Sequence, residues 1–162
     1  MCENYRFRVE YFEGNEIKAD LFSDEAERVV NCFLNKTEND DYEKNWKGEY
    51  KCKWGQYKKD CPKKDRKAPK KLSSTQIRKF YEEVLNLKAQ VENGKEFNKI
   101  LPYFKMLKAK ANVAYQRDVI NTNFKTFIEK NVDYVGSDEN RFKIFCTLFE
   151  AVVAYAKGTI KD

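Results

Sequence analysis

The chain has 162 residues, with 32 Lys and Arg against 26 Asp and Glu, a formal net charge of +6 and no histidine. The lack of histidine excludes Ser-His-Asp and Cys-His nucleophile arrangements and histidine-ligated metals. Because 36% of the residues are charged and 41% hydrophobic, the chain fits one or two small domains with a core largely of Phe, Tyr, Leu and Val. No apolar run approaches the roughly 20 residues of a membrane span, and the start lacks a signal-peptide layout, so we expect a cytoplasmic protein without membrane contact.

Charge is distributed unevenly along the chain. Residues 1–43 hold 5 basic and 12 acidic side chains, residues 44–71 hold 12 and 3, and residues 72–162 hold 15 and 11. The aromatic residues among the lysines of the middle segment are Trp46, Tyr50, Trp54 and Tyr57. Two interpretations of this segment stay open: a solvated linker, or a surface where lysines contact phosphates and aromatic rings stack on unpaired bases.

The N-terminal segment has the pattern of a hairpin followed by a helix. The hairpin pattern consists of alternating Tyr5, Phe7, Val9 and Tyr11, a turn at 13–16, and alternating Ile17, Ala19 and Leu21. Ser23 is placed to cap a helix over about 24–35, whose apolar residues at helical spacing would cover the hairpin. We expect this small ββα unit to pack against the rest of the molecule or a partner.

From residue 72 the pattern is helical. Ser73 or Ser74 is expected to cap a first helix to about Glu92, which Gly94 stops. A second helix covers about 95–118, and Pro102 is expected to kink it or break it into two pieces.

Two further helices complete the pattern. One covers about 122–131 after a cap at Asn121 or Thr122, and the last begins after a Ser137 cap and ends near Gly158. The predicted fold class is therefore mainly α, with a C-terminal bundle of four to five helices over 72–162 and a small ββα-like N-terminal extension over 1–71.

The second predicted helix carries apolar residues on two sides. One stripe holds Phe97, Ile100, Leu101, Phe104, Leu107, Ala111 and Ala114, and the other holds Lys99, Tyr103, Met106, Lys110, Val113 and Arg117. A solvated face would not need Tyr103, Met106 and Val113, so we expect other helices of this chain, or else another molecule, to cover them. Lys110 and Arg117 are then either solvated or in contact with phosphate.

Motifs of catalysis and metal binding are sparse. The sequence has no glycine-rich phosphate loop and no nucleophile elbow, and its adjacent acidic pairs 82–83 and 138–139 point in different directions on helices. The five cysteines, Cys2, Cys32, Cys52, Cys61 and Cys146, are expected to be free thiols in a reducing cytoplasm, with Cys146 a packing residue. A zinc site formed by the first four stays an alternative, although their spacing is unlike that of structural zinc sites. No catalytic residue, metal ligand or cofactor is predicted.

Three motifs in the C-terminal part carry a resemblance to a known family. Leu72–Lys79 reads LSSTQIRK and opens a helix, Leu107–Arg117 begins LKAK and ends in arginine, and Phe149–Lys157 reads FEAVVAYAK. In this order, over about 90 residues, they resemble the small subunit of the type III-A CRISPR–Cas effector, the Csm complex. Residues 1–71 are longer than the lead-in of that family and match no motif.

The resemblance implies a helical-bundle subunit without catalytic activity that stacks in several copies. Its partners would be the backbone repeat subunit and the large subunit of the Csm complex, other copies of itself, and the guide and target RNA. Basic residues in such subunits contact the nucleic-acid backbone. The implied RNA-binding residues here are Arg78, Lys79, Lys108, Lys110 and Arg117, with Lys105 added as their neighbour.

The favoured hypothesis is therefore a non-catalytic, RNA-contacting subunit of an RNA-guided interference complex, in which base pairing by the guide supplies specificity. The alternative is a stand-alone protein that binds single-stranded nucleic acid through the basic and aromatic segment 44–71. A metal-dependent nuclease that uses carboxylates is the third hypothesis.

Overall fold

A computed structural model of the chain describes residues 9–34, 47, 49–62, 65–66 and 72–162. Predictions that concern Tyr5, Phe7, Cys2 and Trp46 lie outside these described residues. Within the described part, the molecule is mainly α-helical, with two short antiparallel strand pairs near the N-terminus. The predicted fold class is thus confirmed.

The N-terminal hairpin is shorter than the sequence pattern predicts. Strands β1 (Phe12–Glu13) and β2 (Glu16–Ile17) pair antiparallel around a two-residue turn, in which Gly14 has a φ of +63°. The Leu21 N–H donates to the Lys18 carbonyl oxygen (3.1 Å), so the chain turns toward the next helix instead of extending. The predicted alternation of Ile17, Ala19 and Leu21 is therefore wrong: Leu21 is buried, but Ile17 and Ala19 are exposed.

Helix α1 (Asp24–Leu34) follows the hairpin, close to its predicted bounds. Three acidic residues lie in its first turn, where their negative charges interact favourably with the positive end of the helix dipole. Ser23 precedes the helix, and its hydroxyl donates to the Asp20 carbonyl oxygen (3.3 Å). The buried face of α1 consists of Ala26, Val29, Val30, Cys32 and Phe33.

A second hairpin lies in the basic middle segment. Strands β3 (Tyr50–Lys51) and β4 (Tyr57–Lys58) pair antiparallel, and Cys52 forms an isolated bridge with Arg66. The hairpin returns the chain so that Cys52 and Cys61, 6.4 Å apart at their Cα atoms, form a disulfide. The expectation of free thiols is therefore wrong for Cys52 and Cys61, because their pairing depends on this turn and not on sequence spacing. It is confirmed for Cys32 and Cys146, which are thiols that form no disulfide within the described residues. The disulfide also uses two of the four sulfurs that the alternative zinc site would need.

The C-terminal part begins with helix α2 (Ser74–Glu92), which is capped as predicted. The Ser73 hydroxyl accepts from the Gln76 N–H (3.2 Å). Gly94 follows the end of the helix with a φ of +93°, a conformation that glycine adopts without the steric cost of a Cβ atom.

The predicted second helix is two helices. Helix α3 (Phe97–Lys105) contains Pro102, and helix α4 (Leu107–Gln116) begins after a break at Met106. The break confirms the two-piece interpretation, but it falls one turn after the proline. The proline removes one backbone donor and crowds the preceding turn, while the Met106 N–H still reaches the Pro102 carbonyl oxygen (3.0 Å).

Helices α5 (Thr122–Val135) and α6 (Glu139–Thr159) complete the bundle. Asn121 caps α5 by accepting from the Phe124 N–H (3.0 Å), as predicted. The predicted Ser137 cap of α6 is wrong: the Asp138 carboxylate accepts from the Arg141 N–H (3.1 Å). Gly136 turns the chain with a φ of +55°, which places Asp138 rather than Ser137 at the first helical amides.

One hydrophobic core joins both parts of the described chain. Its centre is a set of fully buried phenylalanines on α5 and α6 with ring centroids 5.3–6.4 Å apart: Phe124, Phe127, Phe145 and Phe149. Phe33 of α1 adds edge contacts to Phe124 (5.4 Å) and Phe127 (5.5 Å). Cys146 is buried beside this set, as predicted, and burial raises the pKa of its thiol to about 12. The N-terminal unit therefore packs against the bundle. The predicted domain division at residue 71 stays a prediction.

In the described ranges, no helix combines the length and the apolar composition that crossing a membrane requires.

Candidate nucleic-acid interface

Helices α2 and α4 border an open groove of about 380 Å³. Its walls combine apolar and charged side chains: Gln76, Lys79, Phe80, Glu83, Met106, Ala109, Lys110, Val113, Ala114, Arg117 and Val119. Phe80 is buried, whereas Lys79, Lys110 and Arg117 are exposed at the surface. The groove thus has an apolar lining with three cations at solvent-accessible positions.

Three of the six predicted RNA-binding residues line this groove. Lys110 Nζ lies 2.6 Å from Glu83 Oε2, so this ion pair joins α4 to α2. Among the described residues, Lys79 and Arg117 form no ion pair. With three cations and one carboxylate, the lining is net positive.

The C-terminal end of α4 determines where Arg117 lies. Asp118 follows with a φ of +59°, a conformation that aspartate tolerates better than most residues. Its N–H donates to the Tyr115 carbonyl oxygen and the Val119 N–H donates to that of Ala114, both at 3.1 Å. These bonds close the helix and hold Arg117 at its C-terminus, where the dipole favours a cation.

The other three predicted residues lie outside the groove lining. Lys108 Nζ is 2.5 Å from Asp133 Oδ1 of α5, and Lys105 is exposed at the end of α3. Arg78 is exposed on α2 and interacts electrostatically with Asp162. Hydrogen bonds from Ser74 and Thr75 are the main reason why the pKa of Asp162 is lowered, and Arg78 adds a smaller effect.

The apolar side of α3 and α4 is open. Tyr103 is 62% exposed, Met106 52% and Val113 56%. The expectation that other helices cover these side chains is wrong for the described structure. Helix α4 packs against α5 through its opposite stripe, with Leu107 and Ala111 buried, so its second apolar side is left at the surface.

Several lining residues were not predicted from the sequence. Gln76, Phe80, Glu83 and Val119 line the groove because α2 lies beside α4, and periodicity within one helix does not reveal which helix lies next to it. The charged partners Glu83 and Asp133 were missed for the same reason. Across the described residues, no group of three or more cysteine and acidic side chains could hold a metal ion.

The fold and the groove define a class of protein: a helical bundle with a small N-terminal extension that presents an open basic groove. A protein-family model described as Csm2 Type III-A matches residues 56–161. The chain belongs to this family, the small subunits of the type III-A CRISPR–Cas Csm complex. The match begins before the first resembling motif at Leu72, so it includes β4, Cys61 and Arg66. No curated protein and no solved structure matches the chain.

Proposed function

We propose that this chain is a non-catalytic small subunit that stacks in several copies along the Csm complex and contacts the backbone of the guide and target RNA. Its family supports complex membership. The observation that carries the RNA contact is the groove between α2 and α4, where Lys79 and Arg117 have no carboxylate partner in the described structure.

The chemistry of the groove fits a phosphate backbone. Ammonium and guanidinium groups neutralise phosphates and release condensed counterions, which gives affinity without reading sequence. The apolar lining offers contact to sugars and base faces. Specificity then comes from base pairing by the guide, so the subunit needs no base-reading side chains.

The six predicted residues should contribute unequally. Lys110 and Lys108 already pair with Glu83 and Asp133, so a phosphate must compete with a carboxylate for each. Lys79 and Arg117 have no such competitor and should contribute most. Arg78 and Lys105 lie outside the groove lining, and we propose weaker, peripheral contacts for them.

Charge reversal tests this proposal. In the isolated chain, R117E and K79E should each weaken binding of single-stranded RNA and lower the slope of log affinity against log salt by about 1 or more. K143E is the matched control, because Lys143 pairs with Glu139 on α6 outside the groove. Equal affinities for R117E, K79E and K143E would show that the groove is not the RNA site.

The assembled complex provides the second measurement. A complex purified with R117E in this subunit should keep its protein composition but retain less target RNA than one with K143E. The measured mass of the purified complex should correspond to several copies of this chain per complex. The subunit alone, incubated with RNA and Mg²⁺, should leave the RNA intact; cleavage lost on mutation of its carboxylates would contradict the non-catalytic assignment.

A further inference from the structure

The tip of the β3–β4 hairpin exposes an aromatic ring. Trp54 lies in the connection between the strands, next to Gly55 with its φ of +83°, and is 74% exposed. It is the most exposed large apolar side chain in the described structure. The other two aromatic residues of the hairpin are less available. The Arg66 guanidinium carbon lies 3.5 Å from the centroid of the Tyr50 ring, and Tyr57 is only 39% exposed.

A disulfide and backbone hydrogen bonds hold the turn that carries Trp54. The Cys52–Cys61 disulfide joins the loop end of β3 to the segment that follows β4, and both cysteines are buried. The Cys52 N–H donates to the Gln56 carbonyl oxygen (2.7 Å), and the Lys53 N–H donates to that of Asp65 (2.8 Å). These bonds hold the backbone on either side of Trp54, so its ring is presented at little further entropic cost.

The hairpin that carries this ring also carries exposed cations. Lys53, Lys58 and Lys59 are exposed and form no ion pair within the described residues. The described part of this segment carries six basic side chains and three carboxylates in total. An anionic partner is therefore favoured over a neutral or basic one.

We propose that Trp54, with Lys53, Lys58 and Lys59, forms a second surface that binds single-stranded nucleic acid, separate from the groove between α2 and α4. The indole stacks on one unpaired base and the ammonium groups contact the adjoining phosphates. A duplex hides its base faces and offers only phosphates, so it should bind more weakly here. The proposal goes beyond the proposed function and does not depend on complex assembly.

Fluorescence of the full-length chain tests this surface. The chain has two tryptophans, so W46F leaves Trp54 as the only indole emitter. Titration with a uridine oligomer of about 10 nucleotides, a typical site size, should quench this emission. A duplex RNA of the same length should quench it less. Non-reducing buffer keeps the Cys52–Cys61 disulfide intact.

Substitutions separate stacking from charge. W54A should weaken binding of the oligomer about tenfold, and W54F should restore most of it because a phenyl ring also stacks. K58E should weaken binding and reduce its salt dependence. I17A is the matched control, since Ile17 is 43% exposed on the other hairpin, and it should bind like the unsubstituted chain.

The outcomes distinguish this surface from the groove. If W54A binds as tightly as the unsubstituted chain while R117E binds weakly, this inference is overturned and the groove proposal stands. If W54A alone weakens binding, the hairpin stands and the groove fails. If RNA leaves Trp54 emission unchanged but another purified Csm subunit quenches it, the hairpin is a protein contact, and the inference is overturned.

Discussion

At the scale of single residues, two tyrosines hold the N-terminal hairpin against α5. The Tyr11 hydroxyl donates to Asn131 Oδ1 (2.7 Å) in the buried interior, and the Tyr134 hydroxyl donates to Glu10 Oε1 in a half-buried position. The two rings also meet edge to face at 4.5 Å. One bond joins neutral groups and the other involves a carboxylate, so their pH dependence should differ.

The energetic effect of losing the hydrogen bond between Tyr134 and Glu10 should depend on pH. Donation by Tyr134 is the main reason why the pKa of Glu10 lies below its ordinary value. A lowered carboxyl pKa stabilises the fold above the unfolded-state value, and the effect is lost as pH falls through the folded pKa. Y134F should therefore lower the free energy of unfolding by about 1 kcal/mol at neutral pH, and by less in acid, in urea titrations at several pH values.

Y11F serves as the control for this pH dependence. It removes the donor to the buried side-chain oxygen of Asn131 and should lower the free energy of unfolding by about 1–3 kcal/mol. Since Tyr11 and Asn131 stay neutral throughout, this cost should not shrink in acid. If both variants lost their effect together, the pH dependence would come from general acid destabilisation and not from Glu10.

At the scale of elements, the ends of the helices determine how the bundle connects. Asp138 is the N-cap of α6 and Arg117 is the C-cap of α4. A residue with positive φ lies two positions before Asp138, at Gly136, and another directly follows Arg117, at Asp118. These residues redirect the chain within one or two positions. The bounds of the helices therefore depend on short polar contacts as well as on the apolar pattern.

The cap of α6 gives a direct test. D138A should lower the free energy of unfolding by about 0.5–2 kcal/mol, because it removes the acceptor for the Arg141 N–H. D138N should lose little, since an asparagine oxygen caps as well. S137A, one residue earlier, should be nearly neutral in the same urea titration. A larger loss for S137A than for D138A would place the cap at Ser137.

At the scale of the whole molecule, α1 covers α5 and α6. The amide groups of Asn121 and Asn123 donate to the carbonyl oxygens of Phe33 (2.9 Å) and Cys32 (2.6 Å) at the end of α1. Removing residues 1–34 would strip this cover from the core. Point substitutions in the full chain are therefore a better test of the binding surfaces than truncation.

Neighbouring residues at the end of α1 test this packing. F33A should lower the free energy of unfolding by about 3–5 kcal/mol, because it removes a ring packed between two buried phenylalanines. L34A should cost far less, since Leu34 is 41% exposed. Similar, small losses for both variants would mean that α1 contributes little to the stability of the bundle.

The sequence by itself determined the local features of this protein. Apolar periodicity and capping residues predicted α1, α2 with a cap at Ser73 or Ser74, a helix kinked or broken at Pro102 and a cap at Asn121 or Thr122. Three motifs pointed to the family that the family model then showed. Such features depend on residues within a few positions of each other, so they can be predicted from the amino-acid sequence alone.

Only the tertiary structure decided which residues meet. It brought Lys79, Lys110 and Arg117 to one groove, paired Lys110 with Glu83 and Lys108 with Asp133, and joined Cys52 to Cys61. It also left Tyr103, Met106 and Val113 exposed, although their spacing predicted burial. The physical reason is that a helical repeat specifies a face, whereas the element that covers the face depends on how distant segments pack.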